Sequence, residues 1–239
     1  PDKAIQVFLE MAEVNKDTFE THLALGALFR RRGEVDRAIR IHQNIISKQS
    51  LDEAQRTKAL LELGEDYMRA GLFDRAERLF SELTDRGAHA PSALRHLLDI
   101  YQQEKDWAQA LEKARELEEV TGDRTGEIMA HFCCELAEEA LQAGDAESAR
   151  KYLRQARRHD PKSIRERVVQ AKIARHREDY AAAMDRYEEV ASIDGDMIPD
   201  ILEPYLECAE RARQDERAEA TLREWCATHG SISVILHLT

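Results

Sequence analysis

One pattern of large and small residues returns six times along this 239-residue chain, at steps close to 34 residues. The first copy reads Leu25, Gly26, Phe29, Gly33, Ala38 and Ile45, and the second Leu63, Gly64, Tyr67, Gly71, Ala76 and Leu83. The third keeps Leu94, Leu97, Tyr101, Trp107, Ala110 and Leu117, and the fourth Cys133, Leu136, Ala137, Gly144, Ala149 and Leu153. The fifth (Ala171, Ala174, Tyr180, Ala183, Tyr187) and sixth (Leu202, Tyr205, Ala209, Ala218, Leu222) hold the register more loosely. A fixed period of this length confines the chain to a stack of supersecondary units, each too small to bury its apolar face alone.

Period and pattern are those of tetratricopeptide (TPR) helix pairs. The expected fold is all-α, a right-handed α-solenoid. Ala38, Ala76, Ala110, Ala149, Ala183 and Ala218 fall where the second helix of a pair must approach the first closely. Phe29, Tyr67 and Tyr101 fill the space beside them. Gly33, Gly71 and Gly144 follow first helices, where a left-handed residue ends a helix at least steric cost. The intervening segments are rich in Glu, Arg, Ala, Leu and Gln, all good helix formers, and Pro161 sits where a second helix should stop. The alanines step by 38, 34, 39, 34 and 35 residues. The two long steps predict longer turns near 47–55 and 121–127. Residues 1–15 carry Ala4, Phe8 and Met11 in second-helix register, and 231–238 read as the first helix of a truncated seventh repeat. The chain is therefore expected to be a single solenoid over 1–239 of about six repeats, starting and ending inside repeats as a piece of a longer protein.

Charged residues make up 34% of the chain and aromatic residues 6%, which suits an extended helical stack with much surface. The net charge of −12 argues against general nucleic-acid binding, which needs a basic face. No apolar stretch reaches bilayer-spanning length and no signal peptide is visible. Cys133, Cys134, Cys208 and Cys226 lack the paired C-x-x-C spacing of a zinc site and read as reduced cytoplasmic thiols.

Catalytic signatures are missing: the chain has no phosphate-binding Gly-rich loop, no H-E-x-x-H and no G-x-S-x-G. His22 and His42 fall at repeat-core positions and read as packed or partly exposed histidines. Glu138–Glu139 and Glu188–Glu189 lie among basic neighbours and read as solvated helix faces. Cys133 and Cys134, adjacent on a helix, point about 100° apart, which disfavours a redox pair. The chain reads as a non-enzyme that binds no cofactor of its own.

Binding is the better question, because in such a stack the first helix of each repeat lines the concave groove. The register places Leu23, Ala27 and Arg30 there, then Lys58, Leu61, Glu65 and Met68, then Arg95, Asp99 and Gln102. His131, Cys134 and Glu138 follow, and after them Arg165, Val168, Lys172 and Arg175. The strip is rich in cations for so acidic a chain, which suggests a groove for an extended or helical acidic peptide. An ordinary mixed surface explains it equally. The Lys/Asn arrangement with which TPR domains clamp the C-terminal carboxylate of chaperones is absent.

Two passages are more specific than the repeat, GALFRRRGEVDRAIRIHQ at 26–43 and LGEDYMRAGLFDRAE at 63–77, with AHFCCELA at 130–137 as a shorter third. They closely resemble the lipopolysaccharide assembly protein B family of Gram-negative bacteria. The likeness covers most of the chain and fades in the last two repeats. Most residues of the 29–43 string are not demanded by the repeat pattern. The resemblance implies a plan of N-terminal membrane anchor, repeat region at the cytoplasmic face of the inner membrane, and C-terminal rubredoxin-like domain holding an iron or zinc ion on two C-x-x-C pairs. Neither the anchor nor those pairs is among these residues. It implies an adaptor in lipopolysaccharide regulation that works with a membrane-bound AAA+ metalloprotease. Their joint target would be the deacetylase that commits precursors to lipid A, and an inner-membrane lipopolysaccharide sensor protein would oppose them. The alternative is a structural scaffold that assembles lipopolysaccharide synthesis and transport proteins without delivering substrate. A homodimer is compatible with either reading.

Overall fold

A computed structural model describes residues 19–229. Among them the backbone forms twelve α-helices and one short 3-10 turn, with no strand. The helices come in pairs. In order these are α1 (Phe19–Arg31) with α2 (Val35–Ile46), α3 (Glu53–Arg69) with α4 (Phe73–Asp85), and α5 (Ala90–Glu104) with α6 (Trp107–Thr121). Then come α7 (Gly126–Gln142) with α8 (Ala146–His159), α9 (Ile164–His176) with α10 (Tyr180–Ile193), and α11 (Ile198–Ala212) with α12 (Asp215–His229). The fold class is the α-solenoid that the period predicts. The partial repeats expected at 1–15 and 231–238 lie outside the described residues.

The chain divides into two compact units between Arg124 and Thr125. In the first, each helix of α1 to α6 packs on its successor, and α1 also touches α3 and α3 touches α5. The second unit repeats this with α7 to α12, where α7 touches α9. The first helices α1, α3 and α5, and likewise α7 and α9, therefore lie side by side.

The recurring alanines sit at these crossings. Ala38, Ala76, Ala110, Ala149 and Ala183 are fully buried, and Ala218 nearly so. Each helix pair also turns through one left-handed residue, always five positions before its alanine. Gly33, Gly71 and Gly144 take that place with φ of 82°, 72° and 78°. Lys105, Glu178 and Arg213 take it in the other three pairs with φ of 58°, 62° and 55°. These three carry a Cβ into a conformation that disfavours one. In the third, fourth and fifth pairs the second helix begins on an aspartate. Asp106, Asp145 and Asp179 accept hydrogen bonds from the backbone N–H of Gln109, Ser148 and Ala182 at 3.1, 3.0 and 3.2 Å.

The two long steps resolve differently. Residues 47–52 form a longer turn between α2 and α3, as the spacing predicts. Residues 122–125 are no longer a connection than 86–89, so the second expectation is corrected. There the extra residues lengthen helices instead: α6 has 15 residues and α7 has 17.

Candidate functional site

A cluster of buried charge joins the first two repeats. Four residues after the conserved-register alanine, the repeats place Phe80, Ala114, Leu153, Tyr187 and Leu222, but His42 in the first copy. The His42 ring is fully buried over Gly26, where a Cβ would come within 2.3 Å of Nε2. Gly64 makes the same room for Phe80, with 2.6 Å to the ring. His42 Nδ1 lies 2.5 Å from an Asp66 carboxylate oxygen and Nε2 lies 3.2 Å from the Leu23 carbonyl. Both ring nitrogens therefore lie within hydrogen-bond distance of an oxygen, one in each of the first two repeats. Asp66 is also fully buried, and its register partner in the third copy is the buried Ile100.

Arg30 completes this cluster. Its guanidinium donates to Asp66 at 2.8 Å, to Glu62 at 2.7 Å and to Glu65 at 2.6 Å. Burial opposes its charge, and the hydrogen bonds to Asp66 and Glu62 outweigh that and raise its pKa. The side chain is 15% exposed, and three carboxylates hold its guanidinium in place. Arg37 lies over the Phe29 ring at 5.5 Å, and the Gln43 amide donates to the Tyr67 hydroxyl at 3.0 Å. Within the 29–43 string, Arg30, His42 and Gln43 thus stitch repeat one to repeat two.

Above this cluster α1, α3 and α5 border an open depression of about 620 Å³. Arg30, Glu65 and Asp99 line it together with Arg31, Met68, Arg69 and His96. His96 stacks on Phe80 with centroids 4.7 Å apart and lies 3.4 Å from the Glu65 carboxylate. That hydrogen bond, followed by the charges of Arg30 and His96, holds the Glu65 carboxyl below the usual range against the effect of burial. Asp99 moves the other way: desolvation raises it, and the nearby His96 only partly offsets this. The sequence gives no hint of Arg31, Arg69 and His96 here, since they fall off the groove register.

The same first-helix face in the other pairs carries a ladder of ion pairs. Arg95 reaches Asp123 at 3.3 Å within the first unit. In the second, Arg165 reaches Glu135 at 2.5 Å and Glu138 at 2.9 Å, and Lys172 reaches Glu138 at 2.6 Å. Arg175 pairs with Glu207, and half-buried His131 lies 3.7 Å from Glu135. Lys58 is exposed and has no ion pair to another described residue. Two groove positions are corrected: Leu23 is 5% exposed and Cys134 fully buried. Small and apolar side chains at this register sink against the next first helix, Leu23 beside Ala59 and Cys134 near Arg165 and Glu166, whereas Arg95 extends outward.

Burial pushes the Cys134 thiol up to about 12, which leaves no thiolate nucleophile at neutral pH. The iron or zinc ion that the resemblance implies does not fit these residues. The four cysteines converge on no shared centre, and no group of three or more His, Cys, Asp or Glu among the described residues is placed to hold a metal. No helix among them is long and apolar enough to cross a membrane.

Sequence patterns described as Tetratricopeptide repeat match residues 61–123 and 134–197, and another of that description matches 21–55. The chain belongs to the tetratricopeptide repeat family. These TPR pairs are 39% identical over 210 residues to Lipopolysaccharide assembly protein B of Escherichia coli (strain K12), across 88% of this chain and 54% of that protein. The protein of the same name from Haemophilus influenzae is 34% identical over 229 residues, 92% of this chain and 58% of its own length. The TPR chain thus spans little more than half the length of the curated relatives it matches. Among solved structures, the C-terminal part of a TPR repeat-containing protein from Cytophaga hutchinsonii aligns with a TM-score of 0.62. It is 14% identical and covers 100% of this chain and 94% of that one, a likeness of fold.

Proposed function

We propose that the chain is the protein-binding part of a non-catalytic adaptor in lipopolysaccharide assembly. Its likeness to Lipopolysaccharide assembly protein B over 88% of its length carries this reading. In the finer form of the proposal, the adaptor promotes degradation of the lipid A pathway deacetylase by a membrane-bound AAA+ metalloprotease. It would do so at the cytoplasmic face of the inner membrane, with an inner-membrane lipopolysaccharide sensor protein opposing it. An adaptor of this kind acts by effective concentration, turning capture of the substrate into a local event.

The first-helix face of each unit is the proposed partner surface. Its cations are of two kinds. Arg30 is locked by a fully buried carboxylate and is architectural. Arg95, Arg165, Lys172 and Arg175 hold exposed or half-exposed pairs, each worth only about 0–1 kcal/mol. Acidic groups of a partner can replace those carboxylates at small cost, and Lys58 needs no exchange at all. A pull-down of the deacetylase and the protease, followed by a degradation assay, tests the proposal. Faster deacetylase turnover in the presence of the adaptor is expected. Binding without faster turnover sinks the delivery mechanism and leaves a scaffold.

A further inference from the structure

The second unit carries a different cluster of cations, centred on the second helix of its first pair. Helix α8 holds Arg150, Lys151, Arg154, Arg157 and Arg158 against a single acid, Glu147, in a chain of net charge −12. Arg150 and Arg154 stand one turn apart on one face of α8. With Arg177 after α9 and Arg186 on α10, they ring a cavity of about 300 Å³. Its floor is apolar, built on Leu153 and Ile173, which are 3% and 8% exposed.

The state of these cations sets them apart from those of the first-helix face. Arg186 pairs with Glu189, but Arg150, Arg154 and Arg177 are exposed and form no ion pair with any described residue. The acid on the rim, Asp179, already accepts the backbone N–H of Ala182 as the cap of α10. Three unpaired guanidinium groups around an apolar floor form a site of defined chemistry. We propose that this cavity docks an acidic segment of a partner protein, seating an aliphatic side chain on Leu153 and Ile173 while the arginines fork its flanking carboxylates. Arginine presents paired donors that match a carboxylate bidentately. The cavity offers no aromatic ring for a base to stack on, which disfavours a single-stranded nucleic acid. The site goes beyond the adaptor reading, since its arginines are none of the first-helix cations on which that reading rests.

A displayed library of random 12-residue peptides, panned on the 239-residue chain with counter-selection on the Arg150→Glu/Arg154→Glu variant, tests it. The expected survivors carry two or more Asp or Glu residues around a Leu, Ile or Val. A survivor made as free peptide should lose about tenfold or more in affinity to that variant and to Arg177→Glu, and be unaffected by Lys58→Glu. The variants should keep the parent melting temperature, because they remove no pair. No enrichment, survivors without acidic residues, or a loss with Lys58→Glu instead would overturn the proposal. So would arginine-dependent binding to phosphatidylglycerol vesicles with no peptide enriched, which would assign the cavity to a lipid surface.

Discussion

Asp66 is fully buried, yet it accepts from the Arg30 guanidinium and lies 2.5 Å from His42 Nδ1, both of the preceding repeat. Breaking such a group by removing one partner leaves uncompensated charge in the interior, which costs about 3–5 kcal/mol. Asp66→Ala should lower stability by that order in urea melts. Replacing the whole group by the apolar residues of other copies, as in Arg30→Leu/His42→Phe/Asp66→Ile, should recover most of the loss. If the triple variant is no more stable than Asp66→Ala, the cluster is not a self-compensating unit. At the thiols, burial of Cys133, Cys134 and Cys208 predicts that iodoacetamide at pH 8 labels half-buried Cys226 first in the native chain. Mass spectrometry of the digest checks the order, and early labelling of Cys134 would contradict its raised pKa.

Helix pairs turn at equivalent left-handed positions, but glycine fills only three of the six. Lys105→Gly relieves a steric cost of about 1–2 kcal/mol and incurs the entropy of a glycine in the unfolded chain. A net gain of about 0.5–1 kcal/mol is expected, read as a higher melting temperature; Glu178→Gly should behave alike. A lower melting temperature for both would show that the turn does not strain its residue. The glycines and alanines were legible in the sequence because each marks a close approach or a backbone sign by its own side chain. Lys105, Glu178 and Arg213 were not, since nothing in those side chains announces a positive φ; only their constant distance from the alanine does. The long step between Ala110 and Ala149 likewise counts added residues without saying whether a helix or a turn receives them.

The described residues have the α-solenoid fold, and its period could be read directly, whereas the pairing of the charges could not. Arg30 meets Asp66 and Glu62 across 36 and 32 residues, and Arg175 meets Glu207 across 32, distances at which only the stacking of pairs decides the partner. A strip that looks basic in register is therefore largely neutralised in place. Lys58, the exposed pairs of Arg95 and Arg165, and the arginines around the α8–α10 cavity remain as places where a partner can add contacts. The central claim is that the first-helix face holds a protein of the lipopolysaccharide pathway. Its most direct test is the affinity of the chain for the deacetylase and for the protease, measured for the parent and for Lys58→Glu/Arg95→Glu/Arg165→Glu. Arg30 is left intact because its loss would disturb the fold. Saturable binding to at least one of them, weakened about tenfold or more by the variant at unchanged helicity, is the expected result. No binding to either, or an affinity that the three reversals leave unchanged, would contradict it.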